Sequence, residues 1–124
     1  DMTLAVLEGV AFALRQNIDR IREMGIPMKK VRVCGGGAAN RLWLEVLSNV
    51  LHANLLLTKN TEGASLGAAM LAAKAVLSPE AYSGLEQKVY AVTQTICPDE
   101  AIAANYEEKY SHWLKLYPAL KEIC

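Results

Sequence analysis

Val31-Arg32-Val33-Cys34-Gly35-Gly36-Gly37-Ala38-Ala39-Asn40-Arg41-Leu42-Trp43 is the stretch that decides how this chain is read. Val31 and Val33 alternate in a short apolar run, as in a strand with one buried face. Three consecutive glycines break the run, and an amphipathic helical pattern begins within a few residues. Such a corner can bring bare main chain up to a ligand. Glycine has no Cβ, reaches φ > 0 and lets a flat or phosphorylated group lie against the backbone. The first free N–H groups of the next helix then favour negative charge. The motif lacks the Gly-Lys-Ser/Thr of a Walker loop and the third glycine of the dinucleotide fingerprint. On the residues alone two readings stand, a ligand cradle and a flexible turn feeding a helix. Asn40 reads as an N-cap, or as an amide that hydrogen-bonds a nucleobase edge.

Downstream, Leu42, Trp43, Val46, Leu47, Val50 and Leu51 share one helical face, and Asn54 to Leu57 is a second strand candidate leading into Thr58-Lys59-Asn60-Thr61. Two strands around a helix of about three turns predict a βαβ crossover in a parallel sheet. Upstream, Leu4, Leu7, Ala11, Leu14, Ile18 and Ile21 recur at helical steps, with Gly25 and Pro27 as the stop. Gly9 inside that helix predicts a close crossing against another element.

Glu62 to Ala73 reads as a helix of small residues, closed by Ser78-Pro79, with Gly63 and Gly67 spaced for close packing. Residues 79–97 show no firm periodicity and read as an irregular connection. Pro98-Asp99 opens a last helix with Ile102, Tyr106, Tyr110, Trp113 and Tyr117 on one face, and Pro118 stops it. Aromatic side chains at this spacing form a packing surface; a base-stacking platform would need a basic groove beside it.

With 124 residues, 52% of them apolar, the chain fits one packed domain. Its 13 basic and 13 acidic residues cancel, which argues against a nucleic-acid partner held by overall charge. The local excess of Arg20, Arg22, Lys29, Lys30 and Arg32 reads as a solvated helix end and strand entry, or as an anion site. Cys34, Cys97 and Cys124 are odd in number and widely spaced, which suits a reducing cytosol and no disulfide framework. Cys34, ending an apolar strand, is expected to be buried. No apolar run is long enough to span a bilayer. His52 and His112 lie on helical patterns without paired ligands, so neither a metal site nor a histidine-based triad is expected. His52 reads as a contact with a helix dipole. Glu107 and Glu108 are adjacent and do not face each other on a helix, which excludes a general acid/base pair between them.

A family resemblance adds what spacing cannot. Leu7-Glu8-Gly9-Val10-Ala11-Phe12-Ala13-Leu14-Arg15, Val33-Cys34-Gly35-Gly36-Gly37-Ala38, Arg41-Leu42-Trp43 and Glu62-Gly63-Ala64-Ser65-Leu66-Gly67-Ala68-Ala69 resemble, in order, the C-terminal lobe of FGGY-family carbohydrate kinases. Tyr106-Glu107-Glu108-Lys109-Tyr110 and Leu116-Tyr117-Pro118-Ala119-Leu120 are most similar to the members acting on xylulose.

The resemblance implies an α/β fold: a partial ribonuclease-H-like (actin-like ATPase) domain over residues 1–124, helix-rich with a short two-stranded parallel sheet. It implies ATP, magnesium-bound in the intact enzyme, as co-substrate. Gly36, Gly37 and Ala38, with Gly35 beside them, are then expected to contact the nucleotide. Asn40 stands where glycerol kinases have an adenine-contacting asparagine and many members of the xylulose branch have serine. Asn49 stands where the family often has aspartate. The family's catalytic base, phosphate loop and sugar-binding residues belong to upstream motifs, so no catalytic residue is assigned and the isolated chain is expected to be inactive. The chain begins at Asp1 inside a helical pattern, which is expected of a piece of something longer. Strands that precede this helix in the family would be missing, and the bared surfaces predict self-association. Gluconate, ribulose and glycerol kinases share the lobe. A different class of reading remains, a non-enzymatic α/β interaction module whose glycine turn is only structural.

Overall fold

The computed structural model describes residues 1–59 and 62–121. Asn60, Thr61 and Cys124 lie outside the described residues. Helix α1 (Met2–Glu23) opens on Asp1, whose carboxylate accepts from Thr3 N–H at 3.0 Å. It leads through Gly25 (φ +82°) to strand β1 (Lys30–Val33). A 3-10 turn (Gly36–Ala39) and helix α2 (Arg41–Leu51) follow, then strand β2 (Asn54–Thr58). Helices α3 (Gly63–Val76) and α4 (Pro79–Val89), strand β3 (Val92–Ile96), and helices α5 (Glu100–Trp113) and α6 (Leu116–Leu120) complete the order.

Strands β1 and β2 run parallel with Val31 opposite Leu55 and Val33 opposite Leu57, as the βαβ reading expects. The sheet is nevertheless mixed and three-stranded, because β3 adds antiparallel to the other side of β2, with Leu55 opposite Ile96. That corrects the two-stranded parallel sheet and the irregular connection over 79–97. Ser78 caps α4 by accepting from Ala81 N–H at 3.3 Å, and Pro79 occupies its first turn, where no N–H is needed. The same Ser-Pro pair that ends α3 therefore starts another helix. Strand β3 has no hydrophobic alternation because it is exposed except at Ile96, and its partner is the backbone of β2.

The core is built around α2, which buries Leu44, Val46, Leu47, Ser48, Asn49, Val50 and Leu51. Leu55, Leu57 and Ile96 meet it from the sheet, Ala11 and Phe12 from α1, and Tyr106 and Tyr110 from α5. Phe12 sits among three aromatic rings, 6.1 Å from Tyr106, 5.7 Å from Tyr110 and 6.0 Å from Trp113. On α1 the buried stripe is narrower than the periodicity suggests. Ala11, Phe12 and Arg15 are buried, Leu4 and Ile18 partly so, and Leu14 is exposed. Gly9 has open space where a Cβ would stand, so it marks no close crossing; Gly67 is open too. Gly63 is the tight one: a Cβ there would lie 2.8 Å from Cys34 Sγ.

At the C-terminal end, α5 stops at Trp113, and Tyr117 and Pro118 belong to α6. Pro118 lies in the first turn of α6, where a missing N–H leaves no bond unmade, so it does not act as the stop. Tyr117 is consequently 74% exposed and off the aromatic face. Ile102, half-exposed, also lies outside the core.

Arg15 ties three helices together. Its Nη1 donates to Val50 O at 3.1 Å, and its Nη2 donates to Glu107 Oε2 at 2.7 Å. Its guanidinium carbon stands 4.2 Å from the Tyr110 ring centre. Glu107→Ala should leave this buried guanidinium with Asp19, 3.6 Å from its Nε, as its remaining carboxylate and lower stability by about 1–3 kcal/mol. Lys109→Ala, which removes an exposed partner of Glu8, should lower it by less than about 1 kcal/mol. Urea midpoints of the two variants check the order.

Burial, then the neighbouring Glu8 carboxylate, raises Tyr106 from the ordinary 10.0 to about 12, and burial, then Asp19, raises Tyr110 to about 12. Both shifts favour the protonated phenol in the folded chain. Their contribution to stability is thus complete below about pH 10 and lost as pH rises towards 12. Thermal melts should hold level to the unfolded pKa and fall above it, and absorbance at ~295 nm should show these two phenols ionising last.

Candidate nucleotide-binding corner

Beyond Val33 the chain leaves the sheet, and Cys34 is exposed rather than buried because it lies just past the last paired residue. Its sulfur packs beside Gly63, so the start of α3 adjoins the glycine corner. Gly35 takes φ +87° and ψ −179°, a backbone region essentially reserved for glycine. Gly36, Gly37, Ala38 and Ala39 then wind into the 3-10 turn, with Ala38 N–H donating to Gly35 O at 3.1 Å and Asn40 N–H to Gly37 O at 3.2 Å. Among the described residues the N–H groups of Gly36 and Gly37, which precede the first bonded donor of that turn, donate no backbone hydrogen bond.

The two sides of the corner differ. Over Gly35 and Gly36 nothing among the described residues stands within 4 Å of where a Cβ would be. On the inner side Ala38 and Trp43 pack against the core. The Trp43 ring edge approaches Gly37 so closely that a Cβ there would lie 3.1 Å from Nε1. Asn40 closes the corner as the cap of α2: its Oδ1 accepts from Trp43 N–H at 3.1 Å. Among the described residues nothing fills the Cβ positions of Gly35 and Gly36, and Asn40 and Trp43 tie the turn to α2. Clefts of about 720, 510 and 310 Å³ lie away from the corner, between α5 and α6, between α1 and α5, and at the α1–β1 turn.

Gly35, Gly36, Gly37, Ala38 and Asn40 thus share one continuous surface feature. Sequence reasoning missed Trp43 as its support, since a contact across the turn with Gly37 leaves no periodic signal. It also left Asn49 without a role. Asn49 is buried, accepts from Asp99 N–H through Oδ1 at 2.7 Å and donates from Nδ2 to Glu45 O at 2.9 Å. It pins the start of α5 to α2, and an aspartate there would lose the donor.

Other sequence candidates lie apart from the corner. His52 takes φ +48° at the end of α2, where its Nε2 stands 3.3 Å from Glu100 Oε2, so its neighbour is a carboxylate on α5 as well as the helix end. His112 is exposed on α5. The arginines of the basic excess are partnered: Arg20 pairs with Glu23, Arg22 pairs with Asp19 and donates to Leu51 O at 2.8 Å, and Arg32 stacks on Tyr90 at 4.9 Å. Among the described residues no three histidine, cysteine or carboxylate side chains converge as a metal would need, and no helix is long and apolar enough to cross a membrane.

The family described as "FGGY family of carbohydrate kinases, C-terminal domain" matches residues 1–76, which include the glycine corner and α3. A xylulose kinase of Staphylococcus epidermidis is 28% identical over 99% of this chain and 25% of its own length. A glycerol kinase of Citrifermentans bemidjiense is 46% identical over 55% of this chain and 14% of its own. The crystal structure described as a xyloylose kinase from Brucella ovis superposes with a TM-score of 0.81 at 32% identity, over 99% of this chain and 25% of that one. The chain spans about a quarter of the length of the full-length relatives it matches. A helix-rich α/β unit with a small mixed sheet is the actin-like architecture of that domain, and by sequence and by fold alike the chain belongs to the FGGY family of carbohydrate kinases.

Proposed function

We propose that this chain provides the nucleotide-binding face of an ATP-dependent sugar kinase that converts D-xylulose to D-xylulose 5-phosphate. The observation that carries the reading is the Gly35 corner, with its positive φ, a turn held from behind by Trp43 and, among the described residues, open space over two glycines and two N–H groups without a backbone acceptor. Gly35, Gly36, Gly37 and Ala38 offer main chain against which the nucleoside of ATP lies, and Asn40 contacts its base. ATP enters as its magnesium complex, and transfer to a sugar hydroxyl depends on positioning and charge neutralisation. The base that accepts the hydroxyl proton and the groups that hold sugar and phosphates are supplied by sequence outside this chain. Residues 1–124 act as one segment of that enzyme, since α5, beyond the matched stretch, packs on the same core as α1 and α2. The enzyme works in the cytoplasm, in xylose metabolism. The xylulose kinase relatives support the sugar; the glycerol kinase match keeps other FGGY substrates as the alternative.

Isothermal titration tests the corner. ADP should bind weakly, and Gly35→Val, which forces a side chain into φ +87°, should weaken it at least about tenfold with the helical circular dichroism unchanged. No binding by the parent chain at millimolar ADP refutes the reading, as does ADP formation by this chain with ATP and D-xylulose.

A second reading, an interaction module, is favoured by one surface. Met2, Val6, Val10 and Leu14 form an exposed stripe along α1, at 82, 66, 50 and 41% exposure. In the kinase reading this stripe is also what drives self-association of the isolated chain. Light scattering at micromolar concentration should give a dimer or larger, and Val6→Glu with Val10→Glu should return a monomer; a monomeric parent chain refutes self-association.

A further inference from the structure

We infer that Trp43 is a positioning residue of the glycine corner: the pyrrole edge of its indole holds the place that a side chain at position 37 would need, and so fixes how closely the bare main chain lies against α2. This deepens the nucleotide reading of the corner and rests on it. Glycine is required at positions 35 and 37 for different reasons. Gly35 takes φ +87°, so its requirement is conformational, and no change elsewhere relieves it. Gly37 is not among the glycines of positive φ. Its requirement is steric: a Cβ there would lie 3.1 Å from Trp43 Nε1 and 3.3 Å from Trp43 Cδ1, inside ordinary van der Waals contact.

Neither side of this contact is free to retreat. Asn40 holds both: its N–H donates to Gly37 O at 3.2 Å, and its Oδ1 accepts from Trp43 N–H at 3.1 Å. Trp43 stands in the first turn of α2, next to the buried Leu44, and packs against the core, as does Ala38, the residue after Gly37. A methyl group at position 37 must therefore push the turn away from α2 or turn the indole off the core. The two glycines then differ in a way that can be read. The requirement at 37 disappears once the indole is gone, and the requirement at 35 does not.

The test is a double-mutant cycle at positions 37 and 43 of this chain, read by NMR titration with ADP and by the indole N–H resonances of its two tryptophans, Trp43 and Trp113. Gly37→Ala should weaken ADP about tenfold in the parent chain and less than about twofold in a Trp43→Leu background. It should move the Trp43 resonance, assigned by its loss in Trp43→Leu, and leave that of Trp113 in place, with the helical circular dichroism unchanged. Gly35→Val should weaken ADP by the same factor in both backgrounds, because a smaller residue at 43 does not relieve a strained φ. Should Trp43→Leu not fold, Trp43→Met supplies the background, its unbranched side chain adapting to the gap. An equal loss from Gly37→Ala in both backgrounds overturns the inference, as does no loss in either or a Trp43 resonance that stays in place. If Gly35→Val still weakens ADP in that case, the nucleotide reading of the corner stands. A parent chain that does not bind ADP overturns both.

Discussion

Burial of α2 on nearly every side is the constraint on which the other elements depend. A helix with seven of its eleven residues inside the core has no freedom to slide or roll, because each shift would trade filled space for voids that cost ~1 kcal/mol or more. Both of its ends are therefore placed to within side-chain precision. At the start, Asn40 and Trp43 hold the glycine corner. At the finish, Ser48 donates to Ala53 O at 2.9 Å and sits 3.3 Å from Ile96 O, joining the helix to the sheet. The supports of the candidate site, Asn40 and Trp43, thus belong to a helix fixed in the core.

The polar groups inside that core are few, and each links elements distant in the chain. Arg15 joins α1 to the end of α2 and to α5, and Asn49 joins α2 to the first residue before α5. Glu8 receives both Tyr106 Oη, at 3.0 Å, and Lys109 Nζ, at 3.0 Å. These contacts restrict how α5 can sit on α1 and α2, since an alternative placement would leave charged or amide groups buried without partners. Aromatic packing around Phe12 supplies the apolar contact, and the polar links choose its geometry.

Elements whose environment matches their local pattern were legible. The alternating Val31 and Val33, the glycines and the face running from Leu42 to Leu51 specify a strand, a corner and a buried helix, and the chain forms all three, although Leu42 itself is 52% exposed and off the buried face. Asn40 as a cap was legible for the same reason, being a contact three residues long. Strand β3 and helix α4 were not, because neither buries enough side chain to imprint a period; β3 exists through backbone pairing with β2. Cys34 and Gly9 were misjudged by the opposite error, apolar or small character taken for tight packing where the neighbouring element does not come close. Pro118 was misplaced because a proline forbids a helix interior and permits a first turn, and only the break after Trp113 decides which applies.

By itself the sequence determined that a strand gives way to side-chain-free backbone before a capped, core-forming helix, since these are preferences of single residues and of neighbours within a few positions. It also carried the family, through motifs strung in order along the chain. Tertiary structure decided the rest. It turned the small-residue helix so that Gly63 rather than Gly67 meets a neighbour, it backed Gly37 with an indole, and it committed the Asn40 oxygen to the start of the helix. These outcomes depend on distances between groups brought together by packing, and packing is a property of the whole core.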